Sequence, residues 1–209
     1  NIFLTMKKMA DDFLSQKIKL EHIDLGGGFG VNYEGDFNTL DIKGIRELID
    51  TTFNNTDYKI SFEPGRYLVA KSGVIITKIL TVKKNGGINF LITDAGMQTL
   101  IRPSLYGAKH RIESLNIIKK DKKNLNYTIA GPICESSDII AKNIQLPEQY
   151  INNYLLINDC GAYGSVMASN YNSRGIPAEI LVYENIFSSI HDEELISDII
   201  KRDKIPDWL

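Results

Sequence analysis

Five short stretches of this 209-residue sequence bring together residue types that can do chemistry. The first is Gly26-Gly27-Gly28-Phe29-Gly30. Amides unhindered by side chains let an anion come close, and where such a loop opens a helix the partial positive charge there favours phosphate. The dinucleotide fingerprint counted from Gly26 needs a third glycine where Val31 stands, and no lysine follows at the spacing of a Walker loop. Alone, the cluster reads equally well as a tight glycine turn. The second stretch, Glu63-Pro64-Gly65-Arg66, offers a guanidinium that can take a carboxylate or phosphate in two parallel bonds, beside a glycine whose amide can reach in. By itself a turn with a surface salt bridge is the commoner reading. Arg102 and Tyr106 flank Pro103 in a third stretch, predicted to be a loop that presents a guanidinium and a phenol together and suits a dicarboxylate. Residue type alone favours a solvated arginine and a half-buried tyrosine.

The fourth stretch, Gly131-Pro132-Ile133-Cys134-Glu135-Ser136-Ser137-Asp138, sets a thiol beside a carboxylate in a polar, turn-forming context. A cysteine there can donate a proton, although a lone cysteine is more often a small buried hydrophobe. In the fifth, Asp159-Cys160-Gly161-Ala162-Tyr163-Gly164, small neighbours leave the ring and hydroxyl of Tyr163 accessible to a ligand. Cys160 follows the apolar run 155–157 and reads as core. His22, His110 and His191 have no metal-ligand spacing with one another or with the cysteines, so no metal site is expected.

The elements that must position these groups fall into two textures. Ile2, Phe3, Met6, Met9, Ala10, Phe13 and Leu14 recur at helical spacing, so the chain begins inside an amphipathic helix. A β-rich run over 18–25 leads into the glycines, Ile45, Leu48, Ile49 and Phe53 supply a second helical face, and a short strand over 58–62 ends at Pro64. That is an α/β pattern, with both anion-capable loops at the ends of successive strands, where phosphate sites of βα barrels form. Beyond Lys71 the sequence turns to valine, isoleucine and threonine. Residues 72–84 and 88–93 are expected to form a hairpin around Asn85-Gly86-Gly87, with further strands over 127–130, 154–157 and 176–183 and a closing helix over about 192–201. A boundary is expected near Ala70, dividing the chain into residues 1–70 and 71–209, without an internal repeat or a low-complexity segment.

Composition bounds the function. Hydrophobic residues make up 43% and charged residues 24%, ordinary for a chain with a packed core. The 24 basic and 26 acidic residues are spread along the chain and leave a net charge of -2, which offers no footprint for nucleic acid or an anionic membrane. Two cysteines argue against a disulfide framework and for a reducing cytoplasm. No apolar run approaches the ~18 residues that span a bilayer. The chain opens at Asn1 without a methionine or a signal peptide, as a processed or truncated piece would.

Taken in order, GGGFG (26–30), EPGR (63–66), IRPSLYGAKHRI (101–112), GPICESSD (131–138) and GAYGSVMASNYNSR (161–174) resemble diaminopimelate decarboxylases, across nearly the whole chain. The resemblance implies a fold-type III architecture, α/β plus all-β: here the last βα units of a (β/α)8 barrel, then a C-terminal β-domain of Greek-key sandwich or barrel type. It implies pyridoxal 5'-phosphate as cofactor and conversion of meso-2,6-diaminopimelate to L-lysine and carbon dioxide. Gly27, Gly28, Gly30 and the loop 63–66, Gly65 included, would hold the cofactor phosphate, and Glu63 could also face the pyridine nitrogen. Arg66, Arg102 and Tyr106 would clamp the carboxylate at the non-reacting end of the substrate, Glu135 would pair with its distal ammonium, and Tyr163 would touch cofactor and substrate. Cys134 resembles the acid that returns a proton after carbon dioxide leaves, delivered in this family from the partner subunit of a homodimer. Ornithine and arginine decarboxylases usually carry aspartate after that cysteine, where this chain has Glu135. The family's cofactor-binding lysine and ring-stacking histidine lie N-terminal to anything present here, so the isolated chain is expected to be inactive without the missing half, and a silent binding or dimerisation module is the alternative. A decarboxylase for ornithine or arginine is a further one.

Overall fold

The computed structural model describes residues 2–35, 40–54, 56–116 and 123–209. By contact the chain divides into two units, Asn1–Ala70 and Lys71–Leu209.

The first unit follows the α/β pattern. Helix α1 (Ile2–Ser15) turns Ala10 inward, with Phe3 and Met6 packed against a core of Ile23, Leu25, Phe53 and Tyr58. Strand β1 (His22–Asp24) pairs in parallel with β2 (Lys59–Ser61), and α2 (Ile42–Thr52) makes the crossover that parallel strands require. Helix α2 starts where the Asp41 carboxylate accepts the Gly44 amide at 2.9 Å, which satisfies one of the donors a helix N-terminus leaves over. The strands are shorter than the apolar runs suggested, because only three residues of each are paired. A short helix α3 (Gly65–Val69) follows β2.

The second unit is built on a six-stranded mixed sheet in the order β5-β8-β3-β4-β6-β7. Its strands are β3 (Ile75–Asn85), β4 (Ile88–Thr93), β5 (Ile112–Ser114), β6 (Asn124–Ala130), β7 (Ile139–Pro147) and β8 (Tyr154–Ile157). The expected β3–β4 hairpin is present, and Gly86 (φ +55°) and Gly87 (φ +79°) take the left-handed conformation its two-residue turn demands. Strand β3 serves two neighbours: residues 75–78 pair with β8, and from Ile79 onward the strand pairs with β4, with a shift of register between Ile79 and Thr81. Ile79, Leu91, Ile129, Leu155 and Ile157 are fully buried at the centre of its core. Between β4 and β5 lies helix α4 (Arg102–Tyr106). A separate antiparallel pair, β9 (Glu179–Tyr183) and β10 (Ile186–His191), precedes α5 (Ile196–Ile200), which is shorter than the closing helix expected. Strands β5, β7 and β10 were not expected. Strand β7 carries Lys142 and a left-handed Asn143 (φ +57°) within two shifts of register, so its sequence lacks the clean alternation of a half-buried strand.

Candidate active site

Both anion-capable loops of the first unit leave the same ends of adjacent parallel strands. The Leu25 amide donates to the Ser61 carbonyl at 3.0 Å, and the Glu63 amide donates to the Gly26 carbonyl at 2.9 Å, so the pairing of β1 with β2 runs on into the loops. A Cβ on Gly27 would stand 2.8 Å from the Glu63 carbonyl oxygen; that approach requires glycine. Gly26 (φ +71°) and Gly28 (φ +84°) are left-handed, which turns the chain away from the strand. Asp24 braces the turn: it accepts the Gly26 amide at 2.6 Å and the Ser61 hydroxyl at 2.8 Å, and the first of these bonds, more than the second, holds its carboxyl below the usual carboxylate range. Phe29 is pinned edge-on against Phe62, with centroids 5.3 Å apart. A Cβ on Gly28, Gly30 or Gly65 would meet nothing within 4 Å, and the amides of Gly28 and Gly30 have no acceptor among the described residues. This open, donor-rich backbone fits a phosphate group. Glu63 and Arg66 are exposed beside it.

In the second unit the expected loop at Arg102–Tyr106 is a turn of helix, closed by Gly107 in the left-handed conformation. The helix separates the two side chains that the sequence put together: Arg102 is only 5% exposed, whereas Tyr106 is 65% exposed. The buried guanidinium, against the expectation of a solvated one, lies 3.1 Å from His110 Nε2, and His110 Nδ1 lies 2.9 Å from the Asn158 carbonyl. Neither His110, considered in the sequence only as a metal ligand, nor Asn158 was assigned a role beside Arg102.

Residues 131–138 form a loop organised around a residue whose role the sequence did not reveal. The buried Asp138 carboxylate accepts the Met97 and Ile133 amides, each at 2.7 Å. A Cβ on Gly96 would stand 2.7 Å from that carboxylate and one on Gly131 would run into it, so both glycines make room for it. Burial pushes its carboxyl up, against the pull of those two amides. The loop so anchored presents Cys134 and Glu135 on its exposed face. Glu135 accepts hydrogen bonds from the Ser137 hydroxyl and, at 2.9 Å, from the Tyr171 hydroxyl; the two donors, Ser137 first, hold its carboxyl below the usual range. Asn172 Nδ2 lies 3.7 Å from the Cys134 sulfur. Tyr171 and Asn172 lie within the segment 161–174, where the sequence assigned a role to Tyr163 alone. Tyr163 itself is exposed in the left-handed conformation (φ +59°). Cys160 is core, as expected, and burial pushes its thiol up to about 12.

Strand-end loops that fit a phosphate, in a βα unit joined in sequence to a β-unit that displays a thiol beside a carboxylate, set the features to compare with known proteins. The family model for the pyridoxal-binding domain of pyridoxal-dependent decarboxylases matches residues 5–70, and that for their C-terminal sheet domain matches residues 66–161. The chain belongs to the pyridoxal-dependent decarboxylase family, whose cofactor is pyridoxal phosphate. Within it, the similar proteins are diaminopimelate decarboxylases. That of Archaeoglobus fulgidus is 36% identical over 207 residues, covering 96% of this chain and 49% of the relative. That of Neisseria meningitidis serogroup B is 38% identical over 188 residues, covering 90% and 44%. The structure of the Helicobacter pylori diaminopimelate decarboxylase complexed with L-lysine superposes with a TM-score of 0.85 at 37% identity, over 95% of this chain and 48% of that one. The M. jannaschii enzyme gives 0.91 at 31% identity, over 100% and 48%. The chain thus spans about half the length of these relatives. The fold is the one expected: the end of a pyridoxal-binding barrel followed by a β-domain. Among the described residues, no helix is long and apolar enough to cross a membrane.

Proposed function

We propose that the protein containing this chain decarboxylates meso-2,6-diaminopimelate to L-lysine and carbon dioxide in the cytoplasm, as a homodimer, with residues 1–70 and 71–209 as its barrel end and its β-domain. The observation that carries this reading is the pairing of Cys134 and Glu135 on one anchored loop, with Glu135 kept ionised by two hydroxyl donors. A carboxylate held in its charged form suits the distal ammonium of a diamino acid, and the thiol beside it is a proton source. The names of the relatives support the same substrate.

The roles follow from the chemistry of each group. Gly27, Gly28, Gly30, Gly65 and Arg66 would hold the cofactor phosphate, with Glu63 toward the pyridine nitrogen. When bound, the cofactor supplies an electron sink for the carbon that loses carbon dioxide. By the family's motifs, Arg66, Arg102 and Tyr106 would each serve the far carboxylate of the substrate and Glu135 its far ammonium, and Tyr163 would touch cofactor and substrate. The Cys134 S–H, presented to the partner's site, gives its proton to the carbon left by carbon dioxide and regains one from water. The barrel segments that would carry the cofactor lysine belong to the rest of the protein.

Carbon dioxide release by the full-length protein from meso-diaminopimelate, ornithine and arginine tests the reading. Turnover of diaminopimelate alone is expected. Turnover of ornithine or arginine without diaminopimelate would reassign the substrate, and no turnover of any with cofactor bound would leave a silent binding module.

A further inference from the structure

We propose that His110 is a positioning residue for Arg102, gripping the guanidinium through a neutral imidazole whose tautomer is fixed by the Asn158 carbonyl. The inference rests on the reading above, in which Arg102 takes the far carboxylate of the substrate.

Hydrogen-bond complementarity decides the charge state. A carbonyl oxygen only accepts, so His110 Nδ1, 2.9 Å from Asn158 O, must carry a hydrogen. A guanidinium only donates, so His110 Nε2, 3.1 Å from Arg102 Nη1, must present its lone pair. One form meets both demands: the neutral imidazole protonated on Nδ1. The imidazolium would set two donors and two positive charges against each other inside the protein. Both residues are buried, Arg102 at 5% and His110 at 5% exposure, so solvent does little to relieve that conflict.

The groups around the imidazole agree. Arg102 faces it from α4. Cys160, after β8, has its sulfur 3.8 Å from Nδ1, and burial keeps that thiol protonated, so it brings no negative charge. Asp159 favours the imidazolium, and its Oδ1 lies 3.4 Å from Lys71 Nζ, which offsets that pull. The neighbouring Arg111 and Glu113 pair with each other at 3.2 Å. Burial, opposed by the Asn158 carbonyl and reinforced by Arg102, holds the imidazole below its ordinary value.

Two consequences follow. At neutral pH His110 holds a buried cation without neutralising it, so Arg102 keeps its full charge for a carboxylate. As acid protonates His110, the grip becomes a repulsion, and the far carboxylate loses its aligned partner. The loss appears in KM, since the reacting carbon is at the other end of the molecule.

The test has two independent readouts in the full-length protein. Nitrogen-15 NMR of the histidine rings at neutral pH should show one imidazole protonated on Nδ1 alone, absent from His110→Gln; an imidazolium there would overturn the proposal. For kinetics, the wild-type KM for diaminopimelate should rise as pH falls below the ordinary imidazole range, with kcat much less affected. His110→Leu should raise KM at neutral pH about tenfold or more, the scale of one hydrogen bond to a charged group. His110→Gln, which restores an acceptor that does not titrate, should recover most of that loss and remove the acid rise. A His110→Leu protein with wild-type KM, while Arg102→Gln is impaired, would overturn the positioning role. If Arg102→Gln itself leaves KM unchanged, the assignment of Arg102 to substrate is what fails, and the NMR signature judges the His110 tautomer separately.

Discussion

Replacing Asp138 by alanine should cost the second unit about 2–4 kcal/mol. The carboxylate accepts the Met97 and Ile133 amides, each at 2.7 Å, and hydrogen bonds to a charged group contribute about 1.5–3 kcal/mol apiece, or about 3–6 together. Burial opposes this, as the upward push on the carboxyl shows, and removing the side chain relieves that desolvation, leaving the smaller net figure. The alanine variant keeps the two glycines that made room for the carboxylate, so it also leaves an unfilled space and a buried Ile133 amide without its acceptor. The pH dependence has a defined sign. The Asp138 carboxyl holds its proton more tightly in the folded chain than in the unfolded one, so its contribution is fullest below the ordinary carboxylate value and declines as pH rises through the raised folded value. The gap between wild type and variant should therefore narrow from acidic to neutral pH. Urea titrations at several pH values, read by labelling of the buried Cys160, follow this unit specifically. An unchanged midpoint, or a gap that widens toward neutral pH, would refute the anchoring argument.

Other consequences are as direct. Thiol labelling of the folded chain should modify Cys134 and spare Cys160 until urea unfolds the second unit; equal rates would contradict the burial that pushes Cys160 to about 12. Gly27→Ala brings a Cβ to within 2.8 Å of the Glu63 carbonyl, so it should destabilise the first unit by about 1–3 kcal/mol, and wild-type melting would show that the two loops tolerate separation. Tyr171→Phe removes one of the donors that hold Glu135 ionised, and the Glu135 carboxyl should then titrate at higher pH by carbon-13 NMR; an unshifted titration assigns the effect to Ser137 alone. Leu155→Ala, at a fully buried position, should cost about 2–5 kcal/mol in urea unfolding, and a smaller loss would mean that the core collapses around the gap.

Much of this was open to reading in the primary structure, where local chemistry is decisive. A helix over the first residues, a two-glycine hairpin turn and an apolar strand at 154–157 follow from periodicity and from the conformations glycine alone adopts freely. The motifs carried the family, because glycine at 27, the dipeptide Cys134-Glu135 and the tyrosine at 163 are chemical identities that no packing alters. What the sequence could not state is which polar groups are buried together. Strand β7 hid its alternation behind bulges, Arg102 looked like a surface cation, and Asp138, Tyr171 and His110 carried no local sign of their partners. Those partners lie 5 to 48 residues away along the chain. The charge state of a buried group is set by the donors and acceptors that folding places against it, and only the tertiary structure brings them there.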